Sequence, residues 1–182
     1  IIRCRLMKIF YGAAIQGAKN RGEKADLHKT LIRLIKNKGH QVVSEHMTGK
    51  SKKETARLLQ KAIGTLPPTG LKRTKYVRER MIEAIEKDCD AAIFEVSIPS
   101  LGTGVEIAHA YLRPRLGKKE IPILILYQKD YWPNDLSSMI RGVSRDEVSK
   151  FQLEEYKNEE EAKALVLKFL NPLKRKFRVE DF

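Results

Sequence analysis

The run at residues 121–127, IPILILY, constrains the fold more than any other part of the chain. Apart from its proline it is apolar throughout, so as a strand it needs apolar cover on both faces. Strands of that kind belong to parallel sheets, and parallel neighbours need a crossover of a dozen or more residues, usually a helix. The rest of the chain supplies that alternation. Residues 7–12 form a short apolar run ending at glycine, and residues 41–44, 91–96 and 151–156 read as further strands. Between them, Leu27, Leu31, Leu34 and Ile35 recur at helical spacing over residues 25–38, with Gly39 as a stop. Residues 51–63, 74–87 (stripe Val77, Met81, Ile85), 103–116 and 158–170 read as the other helices, and Pro67-Pro68-Thr69-Gly70 marks a loop.

Strand–helix alternation of this kind predicts an α/β fold: one doubly wound, Rossmann-like or flavodoxin-like domain with a five-stranded parallel sheet. The expected extent is residues 7–170, followed by a basic tail at 171–182. Met7 is the candidate start residue, because MKIFYG opens a strand. In such a fold ligands bind beyond the carboxyl ends of the strands, which places the turns after Phe10, Ser44 and Val96 at one rim.

The turn after Val96 carries the chemistry. Residues 95–110 read EVSIPSLGTGVEIAHA; three hydroxyl residues and two glycines lie in the turn, and one carboxylate, Glu106, sits where the helix should begin. Gly102 and Gly104 let a ligand approach the backbone where a helix starts, an anion site by construction. Ser97, Ser100 and Thr103 offer hydroxyl donors. Glu106 is read in the first turn of that helix, where the dipole favours the ionised form. A carboxylate at a pocket rim can act as a nucleophile or stabilise a cationic sugar centre; the plain alternative is an ordinary helix-start glutamate. The dinucleotide fingerprint fits poorly, since a third glycine is missing and the turn follows the third strand.

Other functions are narrowed by composition. The formal net charge is +13, and a basic chain attracts phosphates, on nucleic acid or on a small molecule. Much of the excess is read as dispersed lysines plus the tail segment at 174–178. Without a zinc finger, an RNA-recognition aromatic motif or a recognition helix, nucleic acid is not expected as a partner. No apolar run approaches the ~18 residues of a membrane span, and residues 1–10 lack a signal-peptide h-region. The two cysteines and four histidines show no metal-ligand spacing. A cytoplasmic protein without metal or cofactor is the expectation.

PSLGTGVEIAHA, together with LSSMIRG at 136–142, EH at 45–46 and the opening KIFYGAAIQGA, resembles the nucleoside 2-deoxyribosyltransferase superfamily, and within it the 2'-deoxynucleoside 5'-phosphate N-hydrolases. The similarity covers about residues 7–143. It implies N-glycosidic hydrolysis of a nucleoside 5'-monophosphate, with Glu106 attacking the anomeric carbon of the sugar. It implies that Ser100 and the amides near Gly102 hold the 5'-phosphate, and that Gly12, Ile15, Gln16 and Gly17 line the sugar and base. His46 is placed near base and sugar, and Ser137, with Met139 beside it, reaches the phosphate of a neighbouring subunit, so a homodimer is implied. The pattern departs from the family at three positions: Phe10 stands in place of a tyrosine, Gln16 of an arginine, and Met81 of an aspartate that helps the base depart. Two other readings therefore stand beside the hydrolase, a deoxyribosyltransferase and a nucleotide-binding protein with weak catalysis.

Overall fold

The computed structural model describes residues 6–15, 22–131, 136–143 and 148–173. Five strands, β1 (Lys8–Ala13), β2 (Gln41–Val42), β3 (Ala91–Glu95), β4 (Ile123–Gln128) and β5 (Phe151–Tyr156), form one parallel sheet in the order β2-β1-β3-β4-β5. The helices are α1 (Ala25–Asn37), α2 (Lys52–Ile63), α3 (Leu71–Glu83), α4 (Leu101–Tyr111), the single turn α5 (Ser138–Arg141) and α6 (Glu159–Leu170). This is the doubly wound α/β arrangement that the alternating sequence predicts. The sheet reverses its winding between β1 and β3, paired Ile9 to Ala91 and Ala13 to Glu95, and a crevice at such a reversal is where these folds bind ligands.

Alternation along the strands sorts side chains between two apolar layers. Ile9, Tyr11, Ala13, Ala91 and Ile93 pack against Leu31 and Ile35 of α1 and against Val166 and Phe169 of α6. Phe10, Ala92, Phe94 and Val96 point the other way, onto Leu59 of α2, Met81 of α3 and Ile107 of α4. In β4, Ile123, Leu124, Ile125 and Leu126 are all at most 1% exposed, as a strand covered on both faces requires.

Three of the longer helices start at polar caps. Ser51 Oγ accepts from Glu54 N at 3.1 Å, Asn158 Oδ1 from Glu161 N at 3.0 Å, and Ser100 Oγ from Thr103 N at 3.4 Å. Several boundaries differ from the sequence reading. β2 stops at Val42 instead of residue 44, because the Ser44 hydroxyl accepts from Tyr11 N at 3.2 Å and donates to Tyr11 O at 2.5 Å, replacing the ladder. α3 starts at Leu71 after Gly70, and residues 84–88 follow it as one turn of π-helix. α4 begins at Leu101, two residues before the expected start.

Candidate functional site

Glu106 projects from α4 to the carboxyl end of β1. A Cβ built on Gly12 would lie 3.1 Å from Glu106 Oε2 and 2.5 Å from Phe94 Cδ1. Gly12 is thus a position where a side chain cannot be added without moving the Phe94 ring, and its bareness lets the carboxylate lie against the strand end. Because Ser100 caps the helix, Glu106 is the sixth helical residue and belongs to the second turn, which corrects the expectation of a first-turn, dipole-favoured anion. The first turn of α4 contains no acid at all. Glu106 is partly buried, and among the described residues it has no hydrogen-bond or ion-pair partner. Desolvation by the surrounding protein therefore raises its pKa to about 7.

The N-terminus of α4 presents Ser100 and the leading amides. Ser100 Oγ uses a lone pair on Thr103 N and keeps its own proton to donate. The amides of Leu101 and Gly102, ahead of the first intrahelical bond, have no helical acceptor. Gly102 is exposed, and a Cβ there would meet Ser100 Oγ only at 3.7 Å, so its lack of a side chain leaves the amide face open.

Ser100 lines a groove of about 730 Å³ between α4 and α5, with Leu101, Val105 and Ala108 on one wall and Ser137 and Met139 on the other. Its lining is mostly apolar: Leu101 is 93% exposed and Met139 76%. Ser137 caps the short α5, its Oγ accepting from Met139 N at 3.3 Å. The expected site residues thus divide into two groups. Gly12 and Glu106 meet on one flank of α4; Ser100, Ser137 and Met139 gather at its N-terminus and opposite flank.

The remaining expected residues are placed differently. His46 lies in a short 3-10 turn (His46–Thr48), buried, with no partner for its Nδ1 among the described residues, and burial lowers its pKa to about 4, so it is neutral. Ile15 packs at the edge of the α1–α6 layer. Gln16 and Gly17 lie outside the described residues. Phe10 is fully buried, its ring centroid 5.7 Å from that of Phe94. Tyr11 faces the opposite layer, with its hydroxyl 3.0 Å from His28 Nδ1, so it does not stand in for a tyrosine at position 10. Met81 is buried in the apolar cluster with Phe10 and Ile85.

The sequence reading missed a polar knot on the α1 side of the same rim. Lys24 Nζ lies 3.3 Å from Glu95 Oε1 and donates at 2.7 Å to both Gln128 Oε1 and the Tyr156 hydroxyl. Tyr156 OH donates to Glu95 Oε1 at 2.9 Å, Ser97 N donates to it at 3.2 Å, and the Ser97 hydroxyl donates to it as well. Burial lowers the Lys24 pKa and Glu95 opposes that shift. One signal was available: Glu95 is a charged residue that continues an inward-facing strand run. Elsewhere, Cys89 donates to Ile85 O at 3.3 Å, and burial pushes its thiol up to about 12. Among the described residues no three His, Cys, Asp or Glu side chains form a metal-ligating group, and no helix is long and apolar enough to cross a membrane.

Known proteins resemble this chain in sequence over most of its length. A protein of Thermofilum pendens named "Putative 2'-deoxynucleoside 5'-phosphate N-hydrolase 1" is 30% identical over 156 residues, 86% of this chain and 90% of that protein. A protein of the same name from Methanococcoides burtonii is 26% identical over 143 residues, covering 79% and 96%. No family model matches the chain. Among solved structures, a de novo designed Rossmann 2x3 protein aligns over 97% of this chain and 98% of its own, at 11% identity and a TM-score of 0.46.

Proposed function

The chain belongs to the 2'-deoxynucleoside 5'-phosphate N-hydrolase family, and from that premise we propose that it hydrolyses the N-glycosidic bond of (deoxy)nucleoside 5'-monophosphates to the free base and (deoxy)ribose 5-phosphate. One observation carries the reading: among the described residues Glu106 offers a carboxylate with no donor of its own at the rim where β1 ends. A carboxylate held by no hydrogen bond keeps its lone pairs for an electrophile, which is what a glycosidic nucleophile needs.

Two displacements complete the reaction. A Glu106 oxygen bonds to the anomeric carbon as the C–N bond breaks, and that electron pair leaves with the base, which takes up a proton. Water then attacks the same carbon and loses its proton, and the ester bond to Glu106 breaks, regenerating the carboxylate. Ser100 and the open amides of Leu101 and Gly102 supply donors for the 5'-phosphate, favoured there by the helix dipole. Within one chain Ser137 sits across the apolar groove from that position. A second chain docked through the groove between α4 and α5 buries Leu101, Val105 and Met139 and offers its own Ser137 to the phosphate. A homodimer is therefore part of the proposal.

Met81 supports a second reading. Its thioether is enclosed by apolar neighbours, so no proton reaches the departing base from this position. General acid help contributes ~10²–10⁴-fold where it exists, and without it the protein turns over slowly, favours bases that leave easily, or binds nucleotides without cleaving them.

The test is base release from a panel of ribo- and deoxyribonucleoside 5'-monophosphates, with unphosphorylated nucleosides and Glu106→Ala alongside. Release that requires both the phosphate and Glu106 is the expected result. Tight monophosphate binding without release from any substrate sinks the hydrolase reading in favour of the second. Transfer of the sugar to an added free base marks a deoxyribosyltransferase instead.

A further inference from the structure

The charge of the chain is not spread evenly. Residues 50–80 contain ten Lys or Arg against two acids, so this span holds +8 of the net +13, and the other 151 residues share the remaining +5. In the structure the span forms α2, α3 and the turn that joins them. The two helices are tied where they meet, by Tyr76 OH donating to Ile63 O at 2.8 Å and Arg73 Nε donating to Pro67 O at 2.6 Å. Each sinks little of itself into the core: Leu59 is the buried residue of α2 and Met81 that of α3.

The cations lie in rows. Lys53, Arg57 and Lys61 recur every four residues along α2, and Lys72, Lys75 and Arg78 every three along α3, so each set shares a helix face. All six are exposed, as is Lys52. Among the described residues none of these seven has an ion-pair partner. α6 shows the ordinary arrangement, with three acids in its first turn and Lys163 paired to Glu160. Surfaces that serve solubility intersperse both signs in comparable numbers; along residues 50–80 only Glu54 and Glu79 stand among ten cations.

We propose that the cationic rows of α2 and α3 dock on the phosphate backbone of a double-stranded nucleic acid. Charge complementarity selects the partner. Each helix is about 18–20 Å long, which spans roughly five phosphates of one strand at ~3.4 Å spacing. The contact is independent of base sequence. The aromatic residue of the pair, Tyr76, is occupied by Ile63 O and by the Arg80 guanidinium 5.6 Å above its ring, so it offers no free platform for stacking a base. This revises the expectation that nucleic acid is no partner, which treated the lysines as dispersed.

Fluorescence anisotropy of a labelled mixed-sequence duplex, titrated with the full chain between 50 and 200 mM salt, tests the proposal. Neutralising about five phosphates gives a log–log salt slope near −4.5, which lowers affinity about 500-fold over that range. Replacing Lys53, Arg57, Lys72 and Lys75 by Gln reduces the slope by about 3.6. Replacing Lys38, Lys129, Lys150 and Lys168 by Gln removes the same charge from other exposed positions and leaves the slope in place. Circular dichroism and a thermal melt verify that both variants fold. No binding at 50 mM salt overturns the proposal, and so does an equal loss in the two variants. Binding to phosphatidylserine vesicles but not to the duplex overturns it in favour of a membrane surface. Base release is read separately, since none of the substituted residues is part of the proposed nucleotide site.

Discussion

Two carboxylates end up at the same rim of the sheet under opposite conditions. Glu95, at the end of β3, is 1% exposed and receives donors from Lys24, Tyr156 and Ser97. Glu106, on the helix that follows, receives none among the described residues, and burial alone moves its pKa to about 7. A buried charge surrounded by donors is satisfied, and breaking such a set is costly. A carboxylate left without donors is held away from its preferred state and is available for chemistry. The contrast separates a residue that holds the rim together from one suited to act there.

Removing each carboxylate's surroundings should therefore produce different failures. Glu106→Ala is expected to have the largest effect, a fall in base release of about 10⁴-fold, some 5.4 kcal/mol of barrier, with little change in folding. A variant that keeps more than a tenth of the activity breaks the comparison. Lys24→Met should do the reverse. It leaves Glu95 buried without its cation and costs about 3–5 kcal/mol in a urea titration, while the folded fraction still releases base. Pairing Lys24→Met with Glu95→Leu should recover much of that loss, because removing both charges is far cheaper than stranding one.

The pH dependence sharpens the contrast. With Glu106 at about 7 and required as an anion, kcat/KM should fall about 100-fold from its plateau to pH 5. Stability carries the opposite sign. A carboxyl raised from 4.5 to about 7 on folding contributes its full stabilisation below pH 4.5 and loses it as pH rises through 7. Glu106→Gln should therefore gain stability over the wild type at pH 8 and show no gain at pH 4. Smaller effects follow. Gly12→Ala forces a methyl group against the Phe94 ring and Glu106, an overpacking cost of about 1–3 kcal/mol, with base release reduced as the carboxylate shifts. Ser100→Ala removes the α4 cap, about 1 kcal/mol by thermal melt, and raises KM for the monophosphate more than it lowers kcat.

Much of the fold was readable because periodicity reports burial. The unbroken apolar run of β4 and the Val77, Met81, Ile85 stripe need no knowledge of partners to be placed. The misplacements arise where side chains compete with the backbone. Ser44 looked like the end of a strand because no local rule reveals that its hydroxyl closes on Tyr11. The start of α4 was read late because Gly102 and Gly104 disfavour a helix, whereas Ser100 and Thr103 make the cap that begins it earlier. That shift of two residues moved Glu106 out of the dipole-dominated turn and into a setting governed by burial. The Lys24 knot was invisible for a different reason: its members are 71 to 132 positions from Lys24 in sequence, and no motif marks residues that meet only when the sheet closes.

The strand order has a consequence for how the chain is made. Of the five strands of this sheet β1 is made before the others and sits inside the sheet, paired on one side with β2 and on the other with β3. Ile9 meets Ala91, so one edge of β1 stays open until 82 further residues have been joined. At ~5–20 residues per second, that is roughly 4–16 s on a ribosome with a bare, apolar strand edge. During that interval the growing chain depends on whatever shields β1, and a pause in translation before residue 91 lengthens the period in which it can pair with the wrong neighbour.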